Sequence, residues 1–172
     1  FAGNVGAAAR CGKNMGIGRL VVVGKPNLDQ DEVYRRATHV AAEVIDGIRY
    51  VDNLEAALAD FQYIVGTTAR LGGARGPVVS PREMAEKVSG ISQENRVALL
   101  FGPEDAGLTN DELRFCHLVV NIPTAEFKSL NLSHAVMILC YEIFSCRLST
   151  EGRFVSKLAS SQELEGMYGQ VA

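Results

Sequence analysis

The chain has 172 residues, 47% of them hydrophobic, with a formal net charge of -3; this fits one core, and a second full domain is not expected within it, since domains commonly hold about 100 to 200 residues. Its longest apolar stretches, around Leu20 to Val23, Val97 to Phe101 and Ala135 to Cys140, fall far short of the roughly 18 residues that a membrane-spanning helix requires. The acidic balance gives no overall pull toward nucleic acid, because nonspecific phosphate affinity comes from clustered Lys and Arg. Basic residues gather only locally, at Arg10, Lys13 and Arg19, at Arg35 and Arg36, and at Arg70, Arg75 and Arg82; each cluster taken alone reads equally well as solvated surface charge.

Asn4 is a cap candidate for a first helix, in which Gly6, Ala7, Ala8 and Ala9 admit another backbone at close range and which Gly16 closes. Arg19 to Gly24 reads as a buried strand, the polar run Lys25 to Asp31 as a loop, and Glu32 to Val44 as one helix with Ala37, Val40, Ala41 and Val44 on one side. A short strand is expected at Ile48 to Val51, and Asn53 caps a helix over Leu54 to Ala59. Tyr63 to Thr67 is a strand ending in a glycine-containing turn.

Leu71 to Pro77 is glycine-rich and basic, too irregular for either element, and Ser80-Pro81 then has the cap-then-proline order that starts a helix over Arg82 to Val88. Arg96 to Phe101 is a strongly apolar strand, Thr109 caps a short helix through Leu113, and Leu118 to Ile122 is a further strand leading into Pro123. A final long helix runs from about Leu130 to Leu148, so apolar around its circumference that it wants two partners: its own sheet and the equivalent helix of a second chain, the alternative being a fully internal helix. Beyond Ser149 the pattern turns polar, with a linker over Glu151 to Ser161 and a short amphipathic helix over Gln162 to Tyr168.

Strand and helix alternate throughout, which argues for an α/β fold with a mostly parallel sheet covered by helices and with ligands beyond the carboxyl ends of the strands. The four cysteines, Cys11, Cys116, Cys140 and Cys146, contain no CxxC pair and make no zinc-type spacing with His39, His117 and His134; reduced structural thiols and no metal are expected. His134, within the last helix, reads as an interface or core residue before a catalyst. No charged leader with an apolar run and a small-residue cleavage site opens the sequence, so the expected compartment is the cytoplasm. No GxGxxG follows a strand, which leaves a dinucleotide-binding enzyme without support.

Three segments remain: Asn4-Val-Gly-Ala-Ala-Ala-Arg10, Leu100-Phe-Gly-Pro-Glu-Asp-Ala-Gly107 and Ile122-Pro-Thr-Ala-Glu-Phe-Lys-Ser-Leu-Asn-Leu-Ser133. In order, separation and internal residues they resemble the signature motifs of SPOUT-class RNA ribose 2'-O-methyltransferases. Ser129-Leu-Asn131 before an apolar helix is typical of the TrmH/TrmJ-like branch. The resemblance runs from Ala2 to about Ser149, making 1–149 the methyltransferase domain and 150–172 a tail, and Leu158 to Tyr168 is similar to the tail of the TrmJ group. Members of the family carry a strand before the first motif, so the resemblance implies one ahead of Phe1.

The resemblance implies a deep C-terminal trefoil knot, an exception to the rule that chains stay unknotted, formed by the loops after Val65, Leu100 and Asn121. It also implies S-adenosyl-L-methionine as cofactor, held by Thr67, Thr68, Ala69, Gly102, Ile122, Ser129, Leu130 and Asn131, with Gly66, Gly102 and the bend at Pro123 allowing close backbone approach. Gly102-Pro103 also reads as an ordinary turn, and Ser129 as a plain helix cap.

By the same resemblance the catalytic set is Arg10, Asn4, Glu104, Ser129 and Asn131. Glu104 organises the knot or the first motif, and Asn4 and Ser129 hold Arg10 or the sugar. An unperturbed guanidinium stays protonated, so Arg10 is assigned to positioning phosphate or ribose and stabilising the alkoxide, with a base role left open. The implied assembly is a homodimer through the first and last helices of the domain, Arg10 of one subunit serving the cofactor of the other. The implied substrate is RNA, contacted by Arg10, Arg70 and Arg75: most readily tRNA at ribose 32 of the anticodon loop. The alternatives are ribosomal RNA, or a noncatalytic knotted RNA-binding dimer.

Overall fold

The computed structural model describes residues 2–24, 27–69, 78–127, 129–148 and 158–171. In chain order the elements are α1 (Ala2–Asn14), β1 (Val21–Val23), α2 (Gln30–Ala37), a 3-10 turn (His39–Ala41), α3 (Ala42–Asp46), β2 (Arg49–Val51), α4 (Leu54–Leu58) and β3 (Tyr63–Thr67). They continue with β4 (Val78–Val79), α5 (Pro81–Ile91), β5 (Val97–Leu100), α6 (Asn110–Leu113), β6 (Leu118–Val120), α7 (Leu132–Leu148) and α8 (Ser161–Val171).

Every strand pairing is parallel, as an alternating strand and helix pattern requires. β3 lies between β5 and β6, with Val65 opposite both Leu99 and Leu118, and β4 adds to the outer side of β6. The apolar runs of β3 and β6 are buried because helices cover a parallel sheet on both faces: Ile64, Val65, Leu118 and Val120 are almost fully enclosed, under Met84 and Val88 of α5 and Leu139 and Ile143 of α7. The mostly parallel sheet expected from the sequence is divided. β1 and β2 form a separate two-stranded ladder, joined to the four-stranded sheet by side chains, with Val21 and Val51 sharing an apolar cluster with Ala98 and Leu100.

The caps at Asn53, Ser80 and Thr109 follow the sequence. Asn53 accepts from the Ala56 amide, and Ser80 with Glu83 and Thr109 with Glu112 form reciprocal capping boxes. Asn4 does not cap: α1 begins at Ala2, which leaves Asn4 inside the helix with its amide free for tertiary bonds. The single helix over Glu32 to Val44 is likewise corrected. α2 starts at Gln30 under the Asp29 cap and breaks at Thr38, whose positive φ of 60° turns the chain so that Val40 is exposed while Ala37, Ala41 and Val44 stay buried. Only Val22 of β1 is buried, because the ladder is two strands wide and Val23 faces outward.

α1 packs against α2 through a glycine. A Cβ on Gly6 would lie 2.1 Å from the Val33 carbonyl oxygen, which is the close backbone approach expected of this small-residue run. The other side of α1 meets α7, where Ala8 shares a cluster with Val136 and Cys140. α7 buries Val136, Leu139, Cys140 and Ile143 and leaves Tyr141, Phe144 and Leu148 exposed.

At the far end of the sheet the tail is tied down: the Leu158 amide donates to Asn95 Oδ1 at 2.6 Å, and the Ser161 amide and hydroxyl both donate to the Phe61 carbonyl at 2.9 Å. The expected short tail helix exists, with a Ser160 and Glu163 box at its start; the rest of the expected linker lies outside the described residues. None of the four cysteines is in a disulfide, and burial pushes the Cys116 and Cys140 thiols up to about 12. Among the described residues no helix is long and apolar enough to cross a membrane.

Candidate active site

Because the strands are parallel, β3, β5 and β6 deliver their carboxyl ends to one side, and the following loops meet there. The Thr67 hydroxyl at the end of β3 donates to the Leu100 carbonyl at the end of β5, 3.2 Å away. The Thr68 amide donates to the Val120 carbonyl at the end of β6, at 3.0 Å. Asn121 closes the arrangement: its side-chain amide donates to the Thr68 carbonyl at 2.8 Å and its backbone amide to the Val79 carbonyl at 3.0 Å. Sequence reasoning passed over Asn121; its signal was a carboxamide placed directly after an apolar strand, where a loop carbonyl needs a donor.

Above these strand ends, one hydrogen-bonded cluster draws residues from all three motif segments. The Asn131 amide donates to Glu104 Oε1 at 2.7 Å and to Asn4 Oδ1 at 2.9 Å, while the Asn4 amide donates to Glu104 Oε2 at 2.5 Å. Asn131 Oδ1 in turn accepts from the Ser133 amide at 2.9 Å and its hydroxyl at 2.7 Å. Asn131 therefore caps α7, the task that Ser129 had been considered for, and does so with the oxygen while its nitrogen serves the cluster. Glu104 is a charge acceptor for two carboxamides and so orients both.

Arg10 is not in this cluster. Six residues after Asn4, it lies about 240° around α1 at 3.6 residues per turn; it is exposed, with no hydrogen-bond or ion-pair partner among the described residues. Both ends of the Asn4 carboxamide are committed to Glu104 and Asn131, so Asn4 makes no bond to Arg10 of its own chain. Of the other basic residues named with it, Lys13 pairs with Glu43, and Arg35 and Arg36 both pair with Glu32, which holds the Glu32 carboxyl below its usual range through the two guanidinium hydrogen bonds. Arg70 and Arg75 lie outside the described residues.

The cofactor candidates surround the same strand ends. Thr67, Thr68, Gly102, Ile122, Leu130 and Asn131 are half-buried, and Ala69 and Ser129 are exposed. The two glycines expected to open the site are also required by the protein's own packing. A Cβ on Gly102 would meet the Gly107 and Leu108 backbone at 2.2 to 2.5 Å, and one on Gly66 would meet Cys116 Sγ at 2.5 Å. The first lets the loop after β5 fold back on itself, where Gly107 has a φ of 67° and donates to the Pro103 carbonyl. His134 is exposed near the start of α7.

A model of the SpoU rRNA Methylase family matches residues 1–141. The chain belongs to this family. It is 32% identical over 167 residues to a "tRNA (cytidine-2'-O-)-methyltransferase TrmJ" of Methanocaldococcus jannaschii, covering 95% of this chain and 71% of that protein. To a "tRNA (cytidine/uridine/adenosine-2'-O-)-methyltransferase TrmJ" of Pseudomonas aeruginosa it is 41% identical, covering 88% of this chain and 59% of the relative. The chain thus spans little more than half the length of most of these curated relatives. Among solved structures, TrmJ from Z. mobilis ZM4 superposes with a TM-score of 0.84 at 32% identity, covering 99% of this chain and 73% of that one. An AdoMet-bound rRNA methyltransferase from Sinorhizobium meliloti superposes with a TM-score of 0.65 at 25% identity, over 88% of this chain and 54% of that one. The shared SpoU architecture is the α/β fold with parallel strands flanked by helices.

Proposed function

We propose that the chain is an S-adenosyl-L-methionine-dependent ribose 2'-O-methyltransferase acting on tRNA, at the anticodon-loop ribose 32. The observation that carries this reading is the union of Asn4, Glu104 and Asn131, one from each motif segment, above the carboxyl ends of β3, β5 and β6. Membership of a methylase family and the tRNA methyltransferase names of its relatives support it, and a tRNA substrate puts the work in the cytoplasm.

The residues fit the cofactor chemically. Half-buried Ile122 and Leu130 offer apolar walls, the peptide groups of 67–69 and 102 offer donors and acceptors, and Glu104 offers a negative charge that suits a cationic methyl donor. Thr67, Thr68, Ala69, Gly102, Ile122, Ser129, Leu130 and Asn131 would hold it. S-adenosyl-L-methionine supplies the methyl group when bound. The loops following Val65, Leu100 and Asn121 thread the trefoil knot that wraps this site, within a domain of 1–149 followed by the tail of 150–172.

The chain's own contribution is orientation and charge. Glu104 fixes the Asn4 and Asn131 carboxamides, and these with Ser129 set the sugar. Arg10, exposed and without a partner among the described residues, acts across a two-fold interface built from α1 and the open side of α7, where Tyr141, Phe144 and Leu148 lie bare. Its protonated guanidinium holds the ribose or phosphate and stabilises the alkoxide that forms as the hydroxyl proton leaves. Arg70 and Arg75 contact the RNA.

The test is transfer of labelled methyl from S-adenosyl-L-methionine to bulk tRNA and to rRNA by wild type and Arg10→Ala, with mapping of any modified nucleotide. Labelled tRNA, lost in the variant, is expected. Labelled rRNA alone moves the substrate, and no transfer by an intact dimer turns the reading into an RNA-binding protein.

A further inference from the structure

Phe127 is 81% exposed, more than any other large hydrophobic side chain described. It stands in the loop between β6 and α7, whose two ends are fixed: Asn121 is bonded to Thr68 and Val79, and Asn131 to Asn4 and Glu104. The ring is thus carried on an anchored loop four residues from the amide that organises the site. Folding recovers little of the free energy that burying a phenyl ring brings, so the ring is available to a ligand. Among the described residues, the other exposed aromatics sit elsewhere, Tyr34 on α2, Tyr50 on β2, and Tyr141 and Phe144 on α7.

Two occupants compete for the ring. A second copy is drawn to the bare strip of α7, but that strip starts at Tyr141, nine residues and about 14 Å along the helix from Leu132. The loop lies at the other end, continuous with the site that receives a ribose. A ribose presented there brings its base along, and an unpaired base of any identity offers a flat apolar face.

On the reading given under Proposed function, we infer that Phe127 is a substrate-contact residue that stacks on an unpaired RNA base at or next to the methylated nucleotide. It positions the ribose over the cluster and takes no part in methyl transfer itself. Because stacking reads the face of a base and not its edge, it favours unpaired RNA without selecting one base.

The chain contains no tryptophan, so Phe127→Trp creates a single fluorescent reporter at the position in question. Titrating this variant with bulk tRNA is expected to quench the indole. In steady-state methyl transfer, Phe127→Ala and Phe127→Leu raise the KM for tRNA by about 5- to 150-fold, the range of a lost base stack, while the KM for S-adenosyl-L-methionine and the sedimentation coefficient stay as in wild type. Phe127→Trp retains near wild-type KM. An unchanged KM for tRNA in Phe127→Ala, an unquenched indole, or a changed oligomeric state with the ring removed would each overturn the stacking role while leaving the enzyme reading intact. A wild-type chain that neither binds nor methylates RNA removes the enzyme reading and this role with it.

Discussion

Glu104 accepts the Asn131 side-chain amide at 2.7 Å, which locks the loop after β5 to the residue that caps α7. The second Glu104 oxygen accepts from Asn4, so both oxygens face N–H donors. Glu104→Gln keeps the shape but presents an NH2 group to one of those donors and removes the charge from both bonds. Methyl transfer is expected to fall roughly tenfold, the scale of one charge-assisted hydrogen bond, with the melting temperature nearly unchanged because Glu104 is exposed. Transfer at the wild-type rate would show that the cluster is bystander structure.

Gly6 faces the Val33 carbonyl so closely that an added Cβ would stand 2.1 Å from the oxygen. That contact is with rigid backbone, so α1 and α2 must separate to admit even a methyl group. Gly6→Ala is expected to lower stability by about 1–3 kcal/mol, the cost of overpacking a close contact, despite the better helix propensity of alanine. Urea unfolding of the variant measures it, and a rise in the midpoint would mean that α2 moves freely.

The parts of the fold written in local chemistry could be read directly. Ser80 with Glu83 and Thr109 with Glu112 follow the S/T-x-x-E pattern of a capping box, and Tyr63 to Thr67 was bounded correctly by its apolar run. The break at Thr38 could not be read, since threonine is not a residue that signals positive φ and the apolar spacing runs on across it. β4 is two residues long, too short for a period to declare itself. At the site, family motifs named Asn4, Glu104 and Asn131, but their mutual bonds span 27 to 127 residues of sequence and depend on the meeting of strand ends. The motif left Asn4 to hold Arg10 or the sugar; within one chain, helical periodicity keeps Asn4 and Arg10 apart, because residues six apart do not share a face.

Thr38 holds a φ of 60° with a ψ of 171°, a region open to glycine and strained for a β-branched residue. Its backbone amide still donates to the Tyr34 carbonyl, ending α2, and its side chain makes no capping bond to the turn that follows. Thr38→Gly is expected to stabilise the chain by about 1 kcal/mol, relief of strain being partly offset by the entropy of a more flexible unfolded chain. Thermal unfolding decides: a lower melting temperature would show that the threonine side chain contributes more than its backbone costs.

His117 Nδ1 accepts from the Ile64 amide at 3.1 Å, and its ring stacks on Tyr63 with centroids 5.2 Å apart. Accepting requires the unprotonated nitrogen, and burial pushes the imidazole below its ordinary 6.5. The unfolded chain therefore takes up a proton at a pH where the folded chain still refuses it. Stability from this group is full above about pH 6.5, declines as the pH falls toward the depressed folded value, and is level below that. His117→Gln keeps an acceptor oxygen but does not titrate, so its urea midpoint should fall less than that of wild type between pH 7.5 and pH 5.5, a window set around the ordinary imidazole value. Parallel declines in the two proteins, or an imidazole that titrates at or above 6.5 by NMR, would place the acid sensitivity elsewhere in the chain.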